Sequence, residues 1–289
     1  MLKTVRLTDK WSKNDGCVML LGGFDGLHLG HKKLVQRAKT FGMPIGIMSI
    51  TGGKGERNLF TEKERGYIFR TNGIDFLFVL PFAEIKDMSP VEFVGLLQAQ
   101  FHVQAFVCGD DFRFGKLAKG TPETLKDATQ VCVEVEKLLK IDGEKASATL
   151  VKTALKSGEV EKASRILGES FFLVGEVEKG RSVGKTLGFP TANVAYPNEK
   201  FAVKQGVYQT EVWVDGKHYN GITNYGARPT FDNEEVLTET YLDGFDGDLY
   251  GKTIEIRFVR FMRDVQKFSS EQELKAQLQK DINEVRTND

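Results

Sequence analysis

Residues 17–38 read CVMLLGGFDGLHLGHKKLVQRA, and this stretch decides the fold of the first half of the chain. The apolar run 17–21 is typical of a buried strand, and the glycine-rich turn after it leads into a helix-permissive segment. A strand that feeds a helix through such a turn presents free backbone N–H groups to a phosphate. His28 and His31, two of the four histidines in the chain, lie in this turn. We expect both imidazoles to face the same anion.

Composition limits the class of protein without naming a function. The chain has 289 residues, which suits two domains with a core each. Basic and acidic side chains both number 40, so no net field favours nucleic acid or an anionic membrane. No apolar run approaches the roughly 18 residues that span a bilayer, and residues 1–7 lack the apolar core of a signal peptide. We therefore expect a cytoplasmic protein that binds neither nucleic acid nor membrane.

Strand-like and helical runs alternate as far as about residue 160. Strands are predicted at 17–21, 44–50, 76–80, 105–108 and 131–135, and helices begin near Gly30, Thr61, Ser89 and Thr121. The alternation predicts an α/β domain with a doubly wound parallel sheet, whose ligands bind at the carboxyl ends of its strands. The cysteines are odd in number and lack metal-ligand spacing, so we expect core residues at Cys17, Cys108 and Cys132.

The pattern of apolar and polar residues changes in the second half of the sequence. Two short helices are predicted at 147–157 and 159–167, followed by short alternating runs from 171 to 262 that are typical of an antiparallel β-barrel. A final helix at 271–285 opens with the capping-box pattern of Ser270 and Glu273. We place the domain boundary after residue 158, which gives domains 1–158 and 159–289.

One motif in the second half is misleading. Residues 180–186 read GRSVGKT and look like a phosphate-binding P-loop, but three residues separate the glycines where that loop needs four. Gly188 and Pro190 follow at once and would interrupt the helix that the loop requires. The P-loop interpretation therefore fails on spacing and on context.

Both halves resemble one family of flavin enzymes. The run from Gly22 to His31 has the form G-x-F-D-G-x-H-x-G-H, which resembles the adenylyltransferase half of bacterial bifunctional riboflavin kinase/FMN adenylyltransferases. Residues 175–193, which end in Pro-Thr-Ala-Asn, resemble the riboflavin kinase motif of the same family. The resemblance implies phosphorylation of riboflavin to FMN by the C-terminal domain. It also implies adenylyl transfer from ATP to FMN by the N-terminal domain, giving FAD and pyrophosphate.

The resemblance implies roles for residues of the first domain. His28 and His31 donate hydrogen bonds to the ATP phosphates, which is the electrostatic stabilisation that such a transfer needs. The nucleotide-binding set also includes Gly22, Gly23, Phe24, Asp25, Gly30, Ser147, Thr149 and Lys152. Ala148 and Lys152 depart from the family's S-S-T-x-I-R, and lysine lacks the bidentate fork of arginine. The flavin would contact Arg65, Asp111 and Phe114.

In the second domain the resemblance makes Glu239 the general base that takes the proton from the riboflavin hydroxyl. Thr191 and Asn193 would contact Mg²⁺ and the nucleotide phosphates, since both offer hard oxygen donors. The nucleotide would also contact Gly180, Gly184 and Lys185. Mg²⁺ would bind with ATP, and the flavins would be substrates and products.

Two alternatives stay open at this point. The first domain could transfer a nucleotide to a phosphate ester other than FMN, although this leaves residues 175–193 unexplained. The chain could also be a flavin-binding regulator that has lost catalysis, although His28, His31, Thr191, Asn193 and Glu239 are all present.

Overall fold

The structure is a computed structural model that describes residues 2–9, 16–52, 57–179, 188–227 and 236–287. The chain divides into two compact units, Met1–Ala148 and Thr149–Asp289. By this division the two short helices before the barrel fall in the second unit. The boundary between the two catalytic domains, which the sequence places after residue 158, stays a prediction. No helix in the described ranges is long and apolar enough to cross a membrane.

A six-stranded parallel sheet forms the first unit, as the alternation of elements predicts. Its order is β1-β4-β3-β2-β5-β6, with strands β1 (Lys3–Arg6), β2 (Cys17–Leu21), β3 (Ile45–Thr51), β4 (Phe76–Pro81), β5 (Val103–Gly109) and β6 (Cys132–Glu136). The doubly wound sheet is therefore confirmed. The short edge strand β1 was not predicted, because four residues carry too weak a periodic pattern. A hairpin of β7 (Lys140–Ile141) and β8 (Glu144–Lys145) follows.

The helices of this unit are α1 (Leu29–Lys39), α2 (Glu62–Thr71), α3 (Phe82–Ile85), α4 (Pro90–Phe101) and α5 (Pro122–Asp127). Four of them begin at the predicted positions, and the short α3, which has no side-chain cap, was not predicted. Ser89 caps α4 by accepting a hydrogen bond from the Glu92 N–H, and the Glu92 carboxylate accepts one from the Ser89 N–H. This capping box satisfies two N–H groups that the helix itself leaves free.

The prediction for the cysteines is wrong at one position. Cys17 and Cys108 are buried in the central strands β2 and β5, but Cys132 is exposed. It lies on β6, which is an edge strand with a neighbour on one side only. An apolar run in sequence did not reveal that this strand lies at the edge of the sheet.

The second unit contains the predicted antiparallel barrel. Two helices, α6 (Ala148–Ser157) and α7 (Val160–Leu167), precede it. The barrel is closed in the order β10-β13-β12-β11-β14-β9, with strands β9 (Phe172–Glu178), β10 (Thr191–Ala195), β11 (Gly206–Val214), β12 (Lys217–Ala227), β13 (Val236–Leu242) and β14 (Thr253–Arg263). A chain of buried hydroxyls, Thr210 to Thr223 to Thr240, crosses three strands at 2.9 Å per step. Each buried hydroxyl is therefore hydrogen-bonded.

The last helix, α8 (Glu271–Thr287), lies against the barrel. Its predicted capping box forms only in part. Ser270 accepts from the Glu273 N–H at 3.2 Å, but the Glu273 carboxylate accepts from Ser269, both from its N–H and from its hydroxyl. The Glu273 carboxylate therefore bonds to the residue before Ser270, its expected partner, because Ser269 offers it two donors. Arg263 on β14 and the buried Asp281 on α8 form an ion pair at 2.7 Å that joins the helix to the barrel.

Candidate active sites

The first candidate site lies where the parallel sheet reverses its winding. From β2 the chain moves outward through β3 and β4, then returns to the other side of β2 with β5. Ligands bind at such switch points, outside the carboxyl ends of the strands. A cleft of about 810 Å³ lies there, and the residues at the ends of β2 and β5, Leu21 and Gly109, both line it.

The two histidines of the turn after β2 contact each other at this cleft. His28 is the N-cap of α1, and its Nδ1 accepts from the His31 N–H at 3.2 Å. Nδ1 of His31 lies 3.0 Å from the Gly26 carbonyl oxygen, so it must carry the proton of that hydrogen bond. The two rings stack at 3.6 Å between centroids, and Phe24 packs on His31 at 4.4 Å. Gly30 is needed here, because a Cβ would stand 3.0 Å from the His28 ring.

Both imidazoles are neutral near pH 7. Burial lowers the pKa of His28 to about 2, and the charges of His31 and Lys145 act in the same direction. Burial lowers the pKa of His31 to about 4, although its bond to Gly26 and the charge of Asp111 oppose this. The hydrogen bonds then fix the tautomers. A neutral His28 carries its proton on Nε2, and a neutral His31 has only a lone pair there.

A cation that the sequence did not reveal stands beside the histidines. Lys145 lines the cleft and forms an ion pair with Asp111, which follows β5. A sequence signal for it existed. Asp142 and Gly143 have φ values of 51° and 83° and form the turn of the β7–β8 hairpin, and an Asp-Gly pair is a strong hairpin signal. With that hairpin recognised, Lys145 falls on its second strand, two residues before the predicted nucleotide contact Ser147.

The predicted residues of the first domain divide into two groups. Those that line the cleft are Gly22, Gly23, His28, Gly30, His31, Asp111, Phe114 and Ser147. Phe24, Asp25 and Arg65 are not among the lining residues. Asp25 instead accepts a hydrogen bond from the Leu59 N–H at 2.8 Å, so it fixes the segment before α2. Nε of Arg65 is buried and has no hydrogen-bond partner, and the assignment of Arg65 to the flavin stays a prediction.

The other two predicted nucleotide contacts, Thr149 and Lys152, belong to the second unit. The Lys152 ammonium lies 5.5 Å from the centre of the Phe201 ring. Their assignment to the ATP phosphates stays a prediction.

The second candidate site is a pocket of about 180 Å³ on the barrel beneath α8. Glu239 on β13 lies between two asparagines in register, Asn193 on β10 and Asn224 on β12. Thr191, two residues before Asn193, shares its strand face and lines the pocket with Glu239 and Asn224. Strand pairing therefore brings Thr191 and Glu239 into one pocket, whereas Asn193 is in register with Glu239 but is buried and is not among the lining residues. Gly180, Gly184 and Lys185 lie outside the described residues.

The pocket contains a polar atom without a partner. Oδ1 of Asn224 is buried and accepts no hydrogen bond. Buried polar groups are rarely left unpaired, and a bound water, a bound ion or a catalytic role is among the explanations of an exception. The described residues hold no group of three or more histidine, cysteine or acidic side chains that could bind a metal alone. The oxygens of Thr191 and Asn193 fit Mg²⁺ that also binds substrate phosphates, as this ion commonly does.

The fold and the two sites together define a two-domain nucleotide-dependent transferase. Two family models match the chain, FAD synthetase over residues 10–150 and riboflavin kinase over residues 167–288. A bifunctional riboflavin kinase/FMN adenylyltransferase of Bacillus subtilis is 36% identical, over 93% of this chain and 91% of that protein. The enzyme of the same description from Escherichia coli is 32% identical, over 92% and 91%. The chain belongs to the family of bifunctional riboflavin kinase/FMN adenylyltransferases.

A solved structure matches nearly the whole chain. It is a Streptococcus pneumoniae protein described as a macrolide-efflux protein, 27% identical to this chain. The match has a TM-score of 0.90 and covers 98% of both chains.

Proposed function

We propose that this chain makes FMN from riboflavin in its second unit and FAD from FMN in its first, using ATP in both steps. The observation that carries the proposal is the pairing of two unlike sites in one chain. One offers neutral imidazoles, backbone N–H groups and Lys145, and the other offers Glu239 between two asparagines. Macrolide efflux is not proposed, because both halves match models of flavin enzymes.

In the first unit a phosphate oxygen of FMN attacks the α-phosphorus of ATP. A new phosphoanhydride bond forms, and the bond to the β-phosphate breaks to release pyrophosphate. The nucleophile is already ionised, so the step needs positioning and charge stabilisation and no base. His28 supplies a hydrogen bond from Nε2, since its Nδ1 is held by the His31 N–H.

His31 acts differently from His28 in this scheme. To donate from Nε2, the His31 ring would need a second proton, and burial disfavours that charged form. We therefore assign His31 the task of orienting His28, through ring stacking and through its own N–H. Lys145 supplies the positive charge that the neutral histidines do not. Ser147 lines the same cleft and offers a hydroxyl to the phosphates.

In the second unit the 5′-hydroxyl of riboflavin attacks the γ-phosphorus of ATP, and ADP leaves. The hydroxyl must lose its proton, and Glu239 is the carboxylate that accepts it. Thr191 and Asn193 would hold the Mg²⁺ that accompanies ATP, and the ion would offset the charge of the phosphates. Asn224 accepts a hydrogen bond from the substrate through its unpaired Oδ1. These small-molecule substrates suit the cytoplasmic location expected from the sequence.

One incubation tests the proposal. The purified chain is supplied with ATP and Mg²⁺ and either riboflavin or FMN, and the products are separated by chromatography. We expect riboflavin to yield FMN and then FAD, and FMN to yield FAD and pyrophosphate. FMN as the only product of riboflavin, with no FAD from added FMN, would show that the first domain has another substrate. A lack of both products would indicate a flavin-binding protein without catalysis.

A further inference from the structure

Four large apolar side chains surround the first cleft although they are exposed to solvent. This apolar rim consists of Ile50 at the end of β3, Phe82 at the start of α3, Leu138 after β6, and Leu117 between β5 and α5. Leu117 is the most exposed of them, at 80%. Single exposed apolar residues are common, but a group of them around one cleft marks a binding surface.

The backbone of Leu117 is strained. Its φ is 56° and its ψ is 27°, and the next residue, Ala118, has a φ of 54°. Side chains with a Cβ disfavour this left-handed region, and glycine is the residue that adopts it without strain. Strain of this kind persists where the surrounding structure enforces it, and it clusters at ligand-binding sites.

The loop that carries Leu117 is fixed at its base by other residues. Phe114 and Gly120 exchange two backbone hydrogen bonds, at 2.9 and 3.2 Å. The Lys116 N–H donates to the Met88 carbonyl oxygen at 2.7 Å. None of these bonds uses the Leu117 side chain. The loop therefore presents Leu117 at the cleft without needing it for its own conformation.

We propose that the apolar rim packs against the dimethylbenzene edge of the FMN ring system, and that Leu117 is a specificity-determining residue for the flavin. This inference rests on the proposed function of the first unit. The cleft must receive two flat rings, the isoalloxazine of FMN and the adenine of ATP. Adenine carries hydrogen-bonding atoms on its edges, and an apolar contact would leave them unpaired at a cost. The dimethylbenzene edge carries none, so the rim suits the flavin.

Two substitutions in the full-length chain test this. Leu117→Gly removes the side chain and relieves the strain, whereas Leu117→Asn removes the apolar surface but still tolerates a positive φ. Val91→Ala is the matched control, because Val91 is 63% exposed on α4 and does not line either site. Each protein is measured for KM and kcat of FAD formation, for the Kd of FMN by flavin fluorescence, and for thermal stability.

We expect both Leu117 variants to raise the KM and Kd for FMN by about tenfold, the scale of a lost apolar contact in a pocket. The KM for ATP and the rate of riboflavin phosphorylation should not change. The thermal midpoint of Leu117→Gly should equal or exceed that of the wild type, which a structural role for Leu117 would not allow. An FMN analogue without the two ring methyl groups should bind the wild type less well, and the variants should discriminate less between the two flavins.

Several results would overturn the inference. An unchanged KM for FMN in both variants would do so, as would a rise in the KM for ATP instead, which would place adenine against the rim. A change in oligomeric state with unchanged flavin binding would assign the rim to a second copy of the chain. If the wild type forms no FAD from FMN, the proposed function itself fails, so the two failures are distinguishable.

Discussion

The two sites differ in the residues that the structure places beside their carboxylates. In the first cleft Asp111 is paired with Lys145, and Glu136 binds Lys33 at 2.8 Å and Arg37 at 2.6 Å. Hydrogen bonds from Lys33 and Arg37 lower the pKa of Glu136, which makes it a poor base. In the second pocket Glu239 has amide side chains as its neighbours across the strands.

This difference follows from the nucleophile that each site receives. The phosphate of FMN is already an anion when it binds, so the first site needs hydrogen-bond donors and a cation. The hydroxyl of riboflavin still carries its proton, so the second site needs a group that accepts it. We propose that the chain separates its two ATP-dependent transfers by the presence or absence of a base, and the following predictions test that separation.

The largest effect should come from Glu239→Gln. Glutamine keeps the size of the side chain but cannot accept the hydroxyl proton, so riboflavin phosphorylation should slow by roughly 10²- to 10⁴-fold. FMN supplied directly should still become FAD, because that step uses the other site. The measurement compares riboflavin with FMN as substrate of this one variant. Glu211→Gln, on β11 and outside the pocket, is the control. Normal turnover of riboflavin would remove Glu239 from the role of base.

His28→Ala should produce the next largest effect, on the opposite activity. FAD formation should fall by roughly 10²-fold, the scale for loss of one transition-state hydrogen bond, while FMN formation stays intact. Alanine also removes the cap of α1, so His28→Asn is the matched variant that keeps a capping oxygen. We expect it to retain stability and still lose most of the activity. Equal loss of both activities would point to misfolding or to a shared site.

Lys145→Met should have a smaller effect. The variant keeps an extended side chain but removes the charge beside the histidines, and we expect FAD formation to fall by about tenfold. It should also raise the pKa of His28, because the charge of Lys145 helps to lower it. NMR titration of the imidazole checks this second result. Lys63→Met, on the exposed face of α2, is the control. An unchanged rate would indicate that Lys152, and not Lys145, supplies the positive charge to the ATP phosphates.

The smallest effect on rate should come from pH. Both histidines stay neutral above neutral pH, so FAD formation should change by less than about twofold between pH 7 and 8.5. The measurement is the initial rate at saturating ATP and FMN. A steady decline with rising pH would show instead that a protonated His31 donates to the phosphates.

The same lowered pKa values make stability depend on pH in a defined direction. Unfolded histidine titrates near pH ~6.5. Below that pH the unfolded chain binds protons that the folded His28 and His31 exclude until about pH 2 and 4. The free energy of unfolding of the first unit should therefore fall by about 2 kcal/mol per histidine, about 4 kcal/mol in all, from pH 7 to pH 5. Urea unfolding of the wild type and of His28→Asn, which lacks one of the two groups, measures this loss.

The sequence by itself determined the fold class, the family, and the positions of most helices and of the inner strands of the first unit. It could do so because apolar periodicity, capping residues and glycine turns act over a few neighbouring residues. Ser89 and Thr61 cap α4 and α2 as their spacing predicts. The histidine turn was equally local, since His28 and His31 contact each other and Gly26 within six positions of sequence.

Only the tertiary structure decided which distant groups meet. The pairing of Asp111 with Lys145 joins segments 34 residues apart, and the row of Asn193, Glu239 and Asn224 depends on the register of three strands. The exposure of Cys132 depended on strand order. The structure also showed that Asp25 holds Leu59 and that Leu117 is strained at the cleft. Register, strand order and desolvation arise from the packing of the whole chain, and local sequence patterns do not encode them one residue at a time.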